Sequence, residues 1–428
     1  MKDEIKVYKY GEIPQKYLPE NRKWQAIATV ECTGKRIWAA WMAGGVTEPD
    51  PDNYIVVAVS DDGGKSFIDP FMVIDCESQS VRGRDPVLWK DGDSLWLYYG
   101  FEKTYGIRFD SPWFITDKPV MQDPVVVFEK GMILNKPIRL NNGDLICSFD
   151  EYEKERNYES NACFESEDGG ESWKKRGEIV SDSEDKWFQE GAFLQKTDGK
   201  LVAFTRIELA KNGGIEKSYS LDCGRTWSKP VYNLGYPFYG PGSKFCLTRL
   251  KSGNLLFVNN NSEDKSRVNM SAYLSCDDGK TWSALLLDYR DMCAYPDFTQ
   301  DNDGNIYVIF DCGRKTRNEI VLCKFTEDDV KKGCLKSGGY LNRPISKNAE
   351  YKDIKSVGYT GDTSVKAVAD DGKEYILKGK TEERIINNEK YLFFNCKEEA
   401  ERDKLTDRFA LLLRKKRNVL PNNFCRQK

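Results

Sequence analysis

The chain of 428 residues contains no histidine, so its chemistry must rest on carboxylates, tyrosine, cysteine, lysine or arginine. This composition excludes a histidine general base, a Ser-His-Asp triad and any metal site with histidine ligands. One carboxylate stands out, because Glu190 follows the apolar pair Trp187-Phe188 and a charge in an apolar setting is costly without a partner. We therefore predict a functional role for Glu190, and we expect neither a metal nor a cofactor.

The remaining composition limits the compartment and the partners. The 13 cysteines are scattered singly, without a Cys-x-x-Cys pair, which is typical of reduced and mostly buried thiols. A net charge of −3 gives no general attraction to nucleic acid or to an anionic membrane. No apolar run reaches the length of a membrane span, and residues 1–6 lack the apolar core of a secretion signal. We expect a cytoplasmic protein with no nucleic-acid or membrane partner.

A short motif of the form Ser-x-Asp-x-Gly-x-Ser/Thr-aromatic occurs four times and indicates the elements that carry any site. The last three copies follow one another at intervals of about 55 residues, and the first interval is about twice as long, which leaves room for one degenerate copy. The Asp can accept hydrogen bonds from hydroxyl and backbone N–H groups, and the Gly permits positive φ, so each motif predicts a hairpin tip. The four copies are Ser60–Phe67, Ser166–Trp173, Ser220–Trp227 and Ser275–Trp282.

A second repeat has the same period. Six turns that contain glycine each precede an apolar strand, and they begin at Gly34, Gly92, Gly143, Gly199, Gly253 and Gly304. Six units with two hairpins each predict an all-β fold, a six-bladed β-propeller of four-stranded blades. An aromatic content of 12% with 34 Gly and 16 Pro agrees with a chain of short strands and turns.

The pattern changes near residue 325, so we assign residues 1–330 to the propeller and residues 331–428 to a small α+β C-terminal extension. A helix is predicted to begin at Thr326, where an acidic first turn follows. Two strand-like runs, Thr363–Ala369 and Lys373–Lys378, flank a turn, and a terminal helix is predicted over Lys397–Asn418. We expect this extension to pack on the propeller, where it is a candidate for a homo-oligomer contact.

Four such motifs on a six-unit β pattern resemble the sialidase (neuraminidase) superfamily of retaining glycoside hydrolases. The resemblance covers about residues 20–325, and it implies a sialidase-like six-bladed propeller. In that superfamily the motifs lie at the periphery of the blades, and non-catalytic proteins carry them too. They therefore predict the fold rather than the activity.

The resemblance also implies a set of site residues in order along the chain. Glu190 precedes Arg206 by about one strand pair, Arg267 precedes the last motif, Tyr295 follows that motif, and Asp311 closes the next strand. By analogy, Tyr295 is the nucleophile and Glu190 activates it, while the arginines bind the carboxylate of a sialylated or other acidic glycan. The implied function is a retaining exo-glycosidase that cleaves terminal sialic acid or a related acidic sugar.

The first blade departs from the superfamily pattern. Sialidases carry a Tyr-Arg-Ile-Pro motif there, whereas Trp24–Ala28 contains no arginine. Arg84 is the preferred substitute, with Arg22 as the alternative. Glu48, Asp50 and Asp52 all lie at a suitable distance before the first motif to supply the acid/base, and we favour Asp50 over Glu48.

Other interpretations remain open for several of these residues. Arg314 joins Asp311 in the predicted substrate-binding set, although the two could form only a surface ion pair. Tyr295 could be a core aromatic residue with a satisfied hydroxyl group. At the level of function, the alternatives are a hydrolase or lyase for another polysaccharide and a non-catalytic carbohydrate-binding propeller.

Overall fold

The computed structural model describes residues 5–76, 81–153, 158–180, 187–208, 214–263, 266–352, 354–361, 364–386, 389–402, 404–405 and 413–414. Within these ranges the chain forms six successive antiparallel sheets up to residue 346, followed by two small three-stranded sheets. The six sheets are the blades of a β-propeller, which confirms the fold predicted from the two repeats.

Strands rich in β-branched and aromatic residues build the first three blades, as expected for pleated, buried surfaces. Two short 3₁₀ helices, Gln15–Tyr17 and Pro19–Asn21, precede β2. The strands are β1 (Lys6–Lys9), β2 (Gln25–Thr33), β3 (Arg36–Ala43), β4 (Tyr54–Ser60) and β5 (Ile68–Asp75) in blade one; β6 (Arg84–Asp91), β7 (Ser94–Gly100), β8 (Thr104–Asp110), β9 (Val120–Met121) and β10 (Val125–Phe128) in blade two; β11 (Met132–Ile133), β12 (Ile138–Arg139), β13 (Leu145–Glu153), β14 (Tyr158–Ser166) and β15 (Lys174–Ile179) in blade three.

The second half of the ring has simpler blades in which successive strands pair in chain order. The strands are β16 (Trp187–Gln195), β17 (Leu201–Glu208) and β18 (Gly214–Ser220) in blade four; β19 (Cys246–Arg249), β20 (Leu255–Asn260), β21 (Met270–Ser275) and β22 (Ser283–Asp288) in blade five; β23 (Cys293–Gln300), β24 (Ile306–Cys312), β25 (Glu319–Phe325) and β26 (Tyr340–Ser346) in blade six. The sixth blade therefore extends past residue 330.

The first strands of the blades face the central axis and close the ring. Strand β2 contacts β6 and β23, so the first and last blades are neighbours. The Thr29 hydroxyl donates a hydrogen bond of 2.7 Å to the Asp297 carboxylate across this junction. Lys136, from the segment between β11 and β12, donates to the carbonyl groups of Val30 at 2.6 Å and Phe298 at 2.9 Å. Buried polar contacts thus join blades one, three and six.

The four repeated motifs form the hairpin tips that the sequence predicts. In the first copy, the hydroxyl groups of Ser60 and Ser66 donate to the carboxylate of Asp62 at 2.8 and 2.6 Å. The backbone N–H of Gly64 donates to the Ser60 hydroxyl at 2.9 Å, with Gly64 at a φ of 80°. Partial burial opposes ionisation, yet the hydrogen bonds from Ser66 and Ser60 lower the pKa of Asp62 to about 2. The other three copies repeat these bonds.

Four of the inner strands share one irregularity that matters for the site. Strands β2, β6, β16 and β23 each contain a β-bulge near their beginning. At each bulge one non-glycine residue takes the left-handed conformation, with φ between 50° and 55°. These residues are Ile27, Asp85, Glu190 and Tyr295.

Beyond the sixth blade the structure agrees with the predicted elements in part. Helix α1 (Glu327–Lys332) begins after Thr326 with a capping box, as predicted. The predicted strand pair is present within β27 (Ile354–Gly361), β28 (Ser364–Ala369) and β29 (Glu374–Lys378).

The long terminal helix predicted over residues 397–418 is wrong. Helix α2 (Lys397–Arg402) is short, and residues 413–414 form β32 (Leu413–Arg414), which pairs with β31 (Glu389–Asn395) beside β30 (Lys380–Ile386). The apolar run that suggested a helix lies partly in this sheet and partly outside the described residues. None of the helices in the described part of the chain is long and apolar enough to cross a lipid bilayer.

Candidate active site

The centre of the candidate site is a hydrogen-bonded triangle of Tyr295, Glu190 and Arg206, all of them buried. The Tyr295 hydroxyl donates to Oε1 of Glu190 at 2.6 Å. Nη1 of Arg206 donates to the same oxygen at 2.7 Å and to the Tyr295 hydroxyl at 2.9 Å. The structure therefore brings these three predicted residues together, although they come from blades four and six.

The backbone holds two corners of this triangle in the left-handed conformation. Such a conformation costs about 1–3 kcal/mol for a residue with a side chain, so surrounding bonds must impose it. The N–H of Glu190 donates to both carboxylate oxygens of Asp150, at 3.0 and 2.9 Å. The amide of Asn135 donates to the Glu190 carbonyl at 2.8 Å. The N–H of Tyr295 donates to the Ser243 hydroxyl at 3.2 Å.

The electrostatic setting keeps the phenol uncharged at rest. Burial, and then the negative charge of Glu190, raise the pKa of Tyr295 well above its usual value, although Arg206 and Arg314 act in the opposite direction. The phenol can ionise only as its proton passes to Glu190, which lies within hydrogen-bond distance. Oε2 of Glu190 is buried and has no hydrogen-bond partner among the described residues. Tyr295 and Glu190 thus have the geometry of a nucleophile and its base.

Two further predicted arginines face the ring of Tyr295. The guanidinium group of Arg314 lies 4.5 Å from the ring centroid, and that of Arg267 lies 5.7 Å from it. Nη2 of Arg267 also donates to the Gly242 carbonyl at 2.6 Å. Burial, and then the positive charge of Arg314, lower the pKa of Arg267. Like charges are therefore gathered here, and an anion between them would be stabilised.

Asp311 positions Arg314 through a two-pronged ion pair. Nε and Nη2 of Arg314 donate to Oδ1 and Oδ2 of Asp311, at 2.8 and 2.9 Å. Asp311 is fully buried, so the alternative of a surface ion pair does not describe this contact. The N–H of Ile27, at the bulge of blade one, also donates to Oδ2 of Asp311 at 3.0 Å. Asp311 therefore links Arg314 to the part of blade one that lacks the expected arginine.

The two favoured acid/base residues differ in their surroundings. Arg206, Arg267 and Arg314 around Tyr295 are called the arginine cluster here. Glu48 forms ion pairs of 3.3 Å with Arg314 and 3.4 Å with Arg82, so its carboxylate lies at the edge of this cluster. Asp50 instead accepts hydrogen bonds from the N–H groups of Val46 and Asp52, both at 3.0 Å. Its carboxylate shapes the loop and does not contact the cluster. The preference for Asp50 over Glu48 is not supported by this geometry.

The arginines proposed as substitutes for the missing one have partners other than the triangle. Nε of Arg84 donates to the Phe101 carbonyl at 3.1 Å, and burial lowers the pKa of this guanidinium. Arg22 is buried under blade one, where it pairs with Asp69 at 2.7 Å. Instead of Arg84 or Arg22, the structure places the guanidinium group of Arg314 beside the ring of Tyr295.

Asp85 is a buried residue that the sequence interpretation missed. It follows Arg84 directly and occupies the bulge of blade two, with a φ of 50°. Burial, and then the negative charge of Glu48, raise the pKa of Asp85 to about 6, with a smaller contribution from Glu190. Asp tolerates the left-handed conformation better than most residues, and the sequence Arg-Asp-Pro at a strand start was the available signal.

A metal-binding role is not suggested by the cysteines. Within the described residues, one group of three potential ligands is close enough to share an ion: Asp288, Cys293 and Cys312. Both oxygens of Asp288 already accept hydrogen bonds from the buried guanidinium group of Arg290, at distances between 2.7 and 3.1 Å. A cation at this position would face the positive charge of Arg290 at close range.

Comparison with known proteins identifies the family. The model of the BNR repeat-like domain matches residues 35–308, which is more than half of the chain. The chain belongs to the BNR repeat-like family. No curated protein sequence matches it.

Solved structures similar to this BNR repeat-like protein share its propeller. A Trypanosoma rangeli sialidase in complex with 2,3-difluorosialic acid is 13% identical, with coverage of 91% of this chain and 73% of that chain and a TM-score of 0.57. The intramolecular trans-sialidase from Ruminococcus gnavus is 15% identical over 74% of this chain and 97% of its own, with a TM-score of 0.54. A Dyadobacter fermentans protein of unknown function is 17% identical over 72% and 95%, with a TM-score of 0.52.

These similarities confirm the resemblance to the sialidase superfamily at the level of fold and repeat. At 13–17% identity they do not extend to an activity or to individual residues. In the blade-one stretch where sialidases carry an arginine motif, this BNR repeat-like protein has Ile27 at the bulge.

Proposed function

We propose that this protein is a retaining exo-glycosidase that removes terminal sialic acid or a related acidic sugar from a glycan. The observation that carries the proposal is the 2.6 Å hydrogen bond from the Tyr295 hydroxyl to Glu190 inside a group of three guanidinium side chains. This reaction needs a nucleophile next to a base, here Tyr295 next to Glu190, and a binding site for the carboxylate of the sugar, here the three guanidinium groups.

The residue types fit a sugar whose anomeric carbon carries a carboxylate. An anionic nucleophile would be repelled by that carboxylate, whereas the phenol of Tyr295 is uncharged until it reacts. As the tyrosine oxygen bonds to the anomeric carbon, its proton passes to Glu190, the bond from that carbon to the glycosidic oxygen breaks, and the leaving group departs with a proton from a general acid. Water then displaces the tyrosine oxygen at the same carbon, giving one proton back to the acid, while the phenol regains its proton from Glu190 and the sugar is released. Two inversions retain the configuration of the substrate.

Arg206, Arg267 and Arg314 form the proposed binding site for the sugar carboxylate. Guanidinium groups present planar pairs of donors that match a carboxylate, which a lysine cannot do. Arg206 has a second role, because its contact with Glu190 and Tyr295 stabilises the negative charge that moves between them. Asp311 keeps the Arg314 fork in place.

The first test is a panel of 4-nitrophenyl glycosides of sialic acid, other 2-keto-3-deoxy acids and neutral sugars. We expect release of nitrophenol from the carboxylated sugars alone, and NMR of the first-formed product should show the configuration of the substrate. Failure to cleave any acidic sugar would refute the glycosidase. A sugar that binds in calorimetry without being cleaved would favour the carbohydrate-binding propeller.

The second test traps the intermediate with a 2,3-difluoro acidic sugar, the class of ligand found with the Trypanosoma rangeli sialidase. Peptide mass mapping should place the adduct on Tyr295. The variant Tyr295→Phe should lose both the adduct and most of the turnover. Tyr98→Phe is the matched control, since its buried hydroxyl donates one hydrogen bond to Gly170 at a hairpin tip of blade three. An adduct on any other residue would contradict the assignment.

A further inference from the structure

Two buried cysteines lie directly opposite each other at one end of blade six. Cys293 begins β23 and Cys312 ends β24, and the two are register partners in this antiparallel pair. Their Sγ atoms are 2.7 Å apart. Both residues are buried, with exposures of 0% and 1%. The two thiols are therefore in contact, and the chemistry proposed above uses neither of them.

The backbone around this pair suits a disulfide bond. The N–H of Gly313 donates to the carbonyl of Met292 at 3.0 Å, and the N–H of Cys293 donates to the carbonyl of Arg267 at 3.2 Å. Cys293 and Cys312 are thus a non-hydrogen-bonded pair, in which opposite Cα atoms approach to about 4.5 Å. Disulfides usually join Cα atoms about 4.4–6.8 Å apart. The two sulfur atoms need to approach by only about 0.65 Å to reach the usual bond length of about 2.05 Å.

Two donors converge on the sulfur of Cys312. The Cys293 thiol donates to it, and so does Nη2 of the buried Arg317, at 3.6 Å. The nearby carboxylate of Asp288 is compensated by its 2.7 Å ion pair with Arg290. A sulfur that accepts a hydrogen bond from a guanidinium group is well placed to carry the negative charge of the pair, and the thiolate is the reactive form of cysteine.

We propose that Cys293 and Cys312 form a redox site, which a peroxide converts from a dithiol into a disulfide that ties β23 to β24. This inference does not depend on the glycosidase function. The Cys312 thiolate attacks one oxygen of hydrogen peroxide, the O–O bond breaks, and the other oxygen leaves as hydroxide and takes up the thiol proton to give water. Cys312 is then a sulfenic acid.

The second step closes the disulfide. The sulfur of Cys293 bonds to the sulfenic sulfur of Cys312, the S–O bond breaks, and the departing hydroxide takes the proton of Cys293 as water. Two thiols have then lost two electrons to one peroxide molecule, which has become two water molecules. A dithiol reductant reverses the reaction by thiol–disulfide exchange.

The peroxide has a route to the pair because both cysteines lie at strand ends. Met292, directly before Cys293, is 37% exposed, and Lys315, three residues after Cys312, is exposed as well. Elements open locally at their ends at a lower free energy than in their centres. A small oxidant therefore reaches these thiols through local opening, and we expect the oxidation to be slower than that of an exposed thiol.

The disulfide would tie together the two strands that carry part of the candidate site. Tyr295 lies two residues after Cys293 on β23, and Asp311, which holds Arg314, directly precedes Cys312 on β24. A bond between the strands also restricts the unfolded chain by closing a loop of about 20 residues. We therefore expect the melting temperature of the oxidised protein to exceed that of the reduced protein by about 3–6 °C.

The first experiment maps the bond in the wild-type protein. The reduced, folded chain is treated with hydrogen peroxide, unfolded, alkylated and digested with trypsin. Residues 291–314 form one tryptic peptide that contains Cys293 and Cys312 and no other cysteine. We expect this peptide to escape alkylation and to be lighter than the dithiol form by two hydrogen atoms, and dithiothreitol should restore two alkylatable thiols. A peptide that remains fully alkylated, or a cysteine of this peptide bonded to one elsewhere, would overturn the proposal.

The second experiment compares melting curves of oxidised and reduced variants. Cys293→Ser should abolish the redox-dependent shift in melting temperature. Cys323→Ser is the matched control, because Cys323 is buried in β25 of the same blade, where its register partner is Val308 and its sulfur accepts the N–H of Asn342 at 3.2 Å. The control should keep the wild-type shift. An equal shift in Cys293→Ser would contradict the proposal, and if that variant does not fold, the peptide map of wild type decides.

Discussion

The variant Arg314→Lys tests whether the protein has replaced the missing first-blade arginine by a residue of blade six. Arg314 uses Nε and Nη2 to hold Asp311 at 2.8 and 2.9 Å, and Nη1 faces Glu48 at 3.3 Å. Lysine keeps the positive charge, so the buried carboxylate of Asp311 is not left uncompensated. A single ammonium group cannot reach Asp311 and a substrate carboxylate with the same paired geometry.

The magnitude of the effect follows from the bond that the substrate loses. A hydrogen bond to a charged group contributes about 1.5–3 kcal/mol. Since about 1.4 kcal/mol corresponds to a factor of ten, kcat/KM on a carboxylated substrate should fall by about 10- to 150-fold. On the same sugar with its carboxylate converted to a neutral amide, we expect wild type to be slow already, and the substitution should cost less than about threefold. Steady-state kinetics on the two substrates measure both numbers.

Arg139→Lys is the matched control, because Arg139 also forms a two-pronged pair, with Asp91, but with 48% of its side chain exposed. An exposed pair of this kind contributes about 0–1 kcal/mol to stability. The control should leave kcat/KM within about twofold of wild type. If a folded Arg314→Lys variant retained wild-type kcat/KM on the carboxylated substrate, or lost as much on the amide, Arg314 would not be a carboxylate ligand.

Three further predictions concern the proposed base, the buried residue Asp85 and the fold. Glu190→Gln should lower kcat by about 100-fold with little change in KM, since Tyr295 loses its base; a kcat within tenfold of wild type would contradict the role. Burial raises the pKa of Asp85 to about 6 in the folded protein, above its ordinary value of about 3.8, so stability falls as the pH rises between these two values. Asp85→Asn should remove up to about 3 kcal/mol of this loss, measured as melting temperature from about pH 3.5 to 7. Asp222→Ala removes four hydrogen bonds at a hairpin tip and should cost about 1–2 kcal/mol in urea unfolding, while kcat at 20 °C stays unchanged.

The fold could be predicted because its signals are local and repeated. The hydrogen bonds of each hairpin motif form between residues of the motif itself, as those from Ser60 and Ser66 to Asp62 illustrate. A short sequence pattern is therefore enough to recognise it. The interval between motifs then gives the number of blades. Glu190 and Tyr295 could be named because their order along the chain resembles that of the sialidase superfamily; the repeat interval alone does not indicate them.

The loop before the first motif could not be resolved in the same way. Glu48 and Asp50 are two residues apart, and spacing alone cannot say which side chain leaves the loop. The deciding contacts are the N–H groups of Val46 and Asp52, which Asp50 holds in the manner of an Asx turn. The sequence Asp-Pro-Asp-Asn was a signal for such a turn, and it argues for Glu48 as the residue that reaches the arginine cluster.

The bulges explain why Asp85 was harder to place. In a regular strand, side chains alternate between faces, so the direction of a residue follows from its position. A bulge with one left-handed residue shifts that alternation. The left-handed residue is Ile27 in blade one, Asp85 in blade two, Glu190 in blade four and Tyr295 in blade six. The backbone is thus repeated around the ring while the side chains differ.

This repetition bears on the missing arginine. At blade one the repeated bulge presents Ile27, which contributes no charge, but its N–H binds the same carboxylate oxygen of Asp311 that accepts Nη2 of Arg314. Both oxygens of Asp311 are thereby engaged. Restoring an arginine by Ile27→Arg would add a second guanidinium group to a carboxylate that already holds one. We therefore interpret the absence of an arginine from blade one and the presence of Arg314 in blade six as a single change. The positive charge at the site comes from a different blade, and no carboxylate-binding group has been lost.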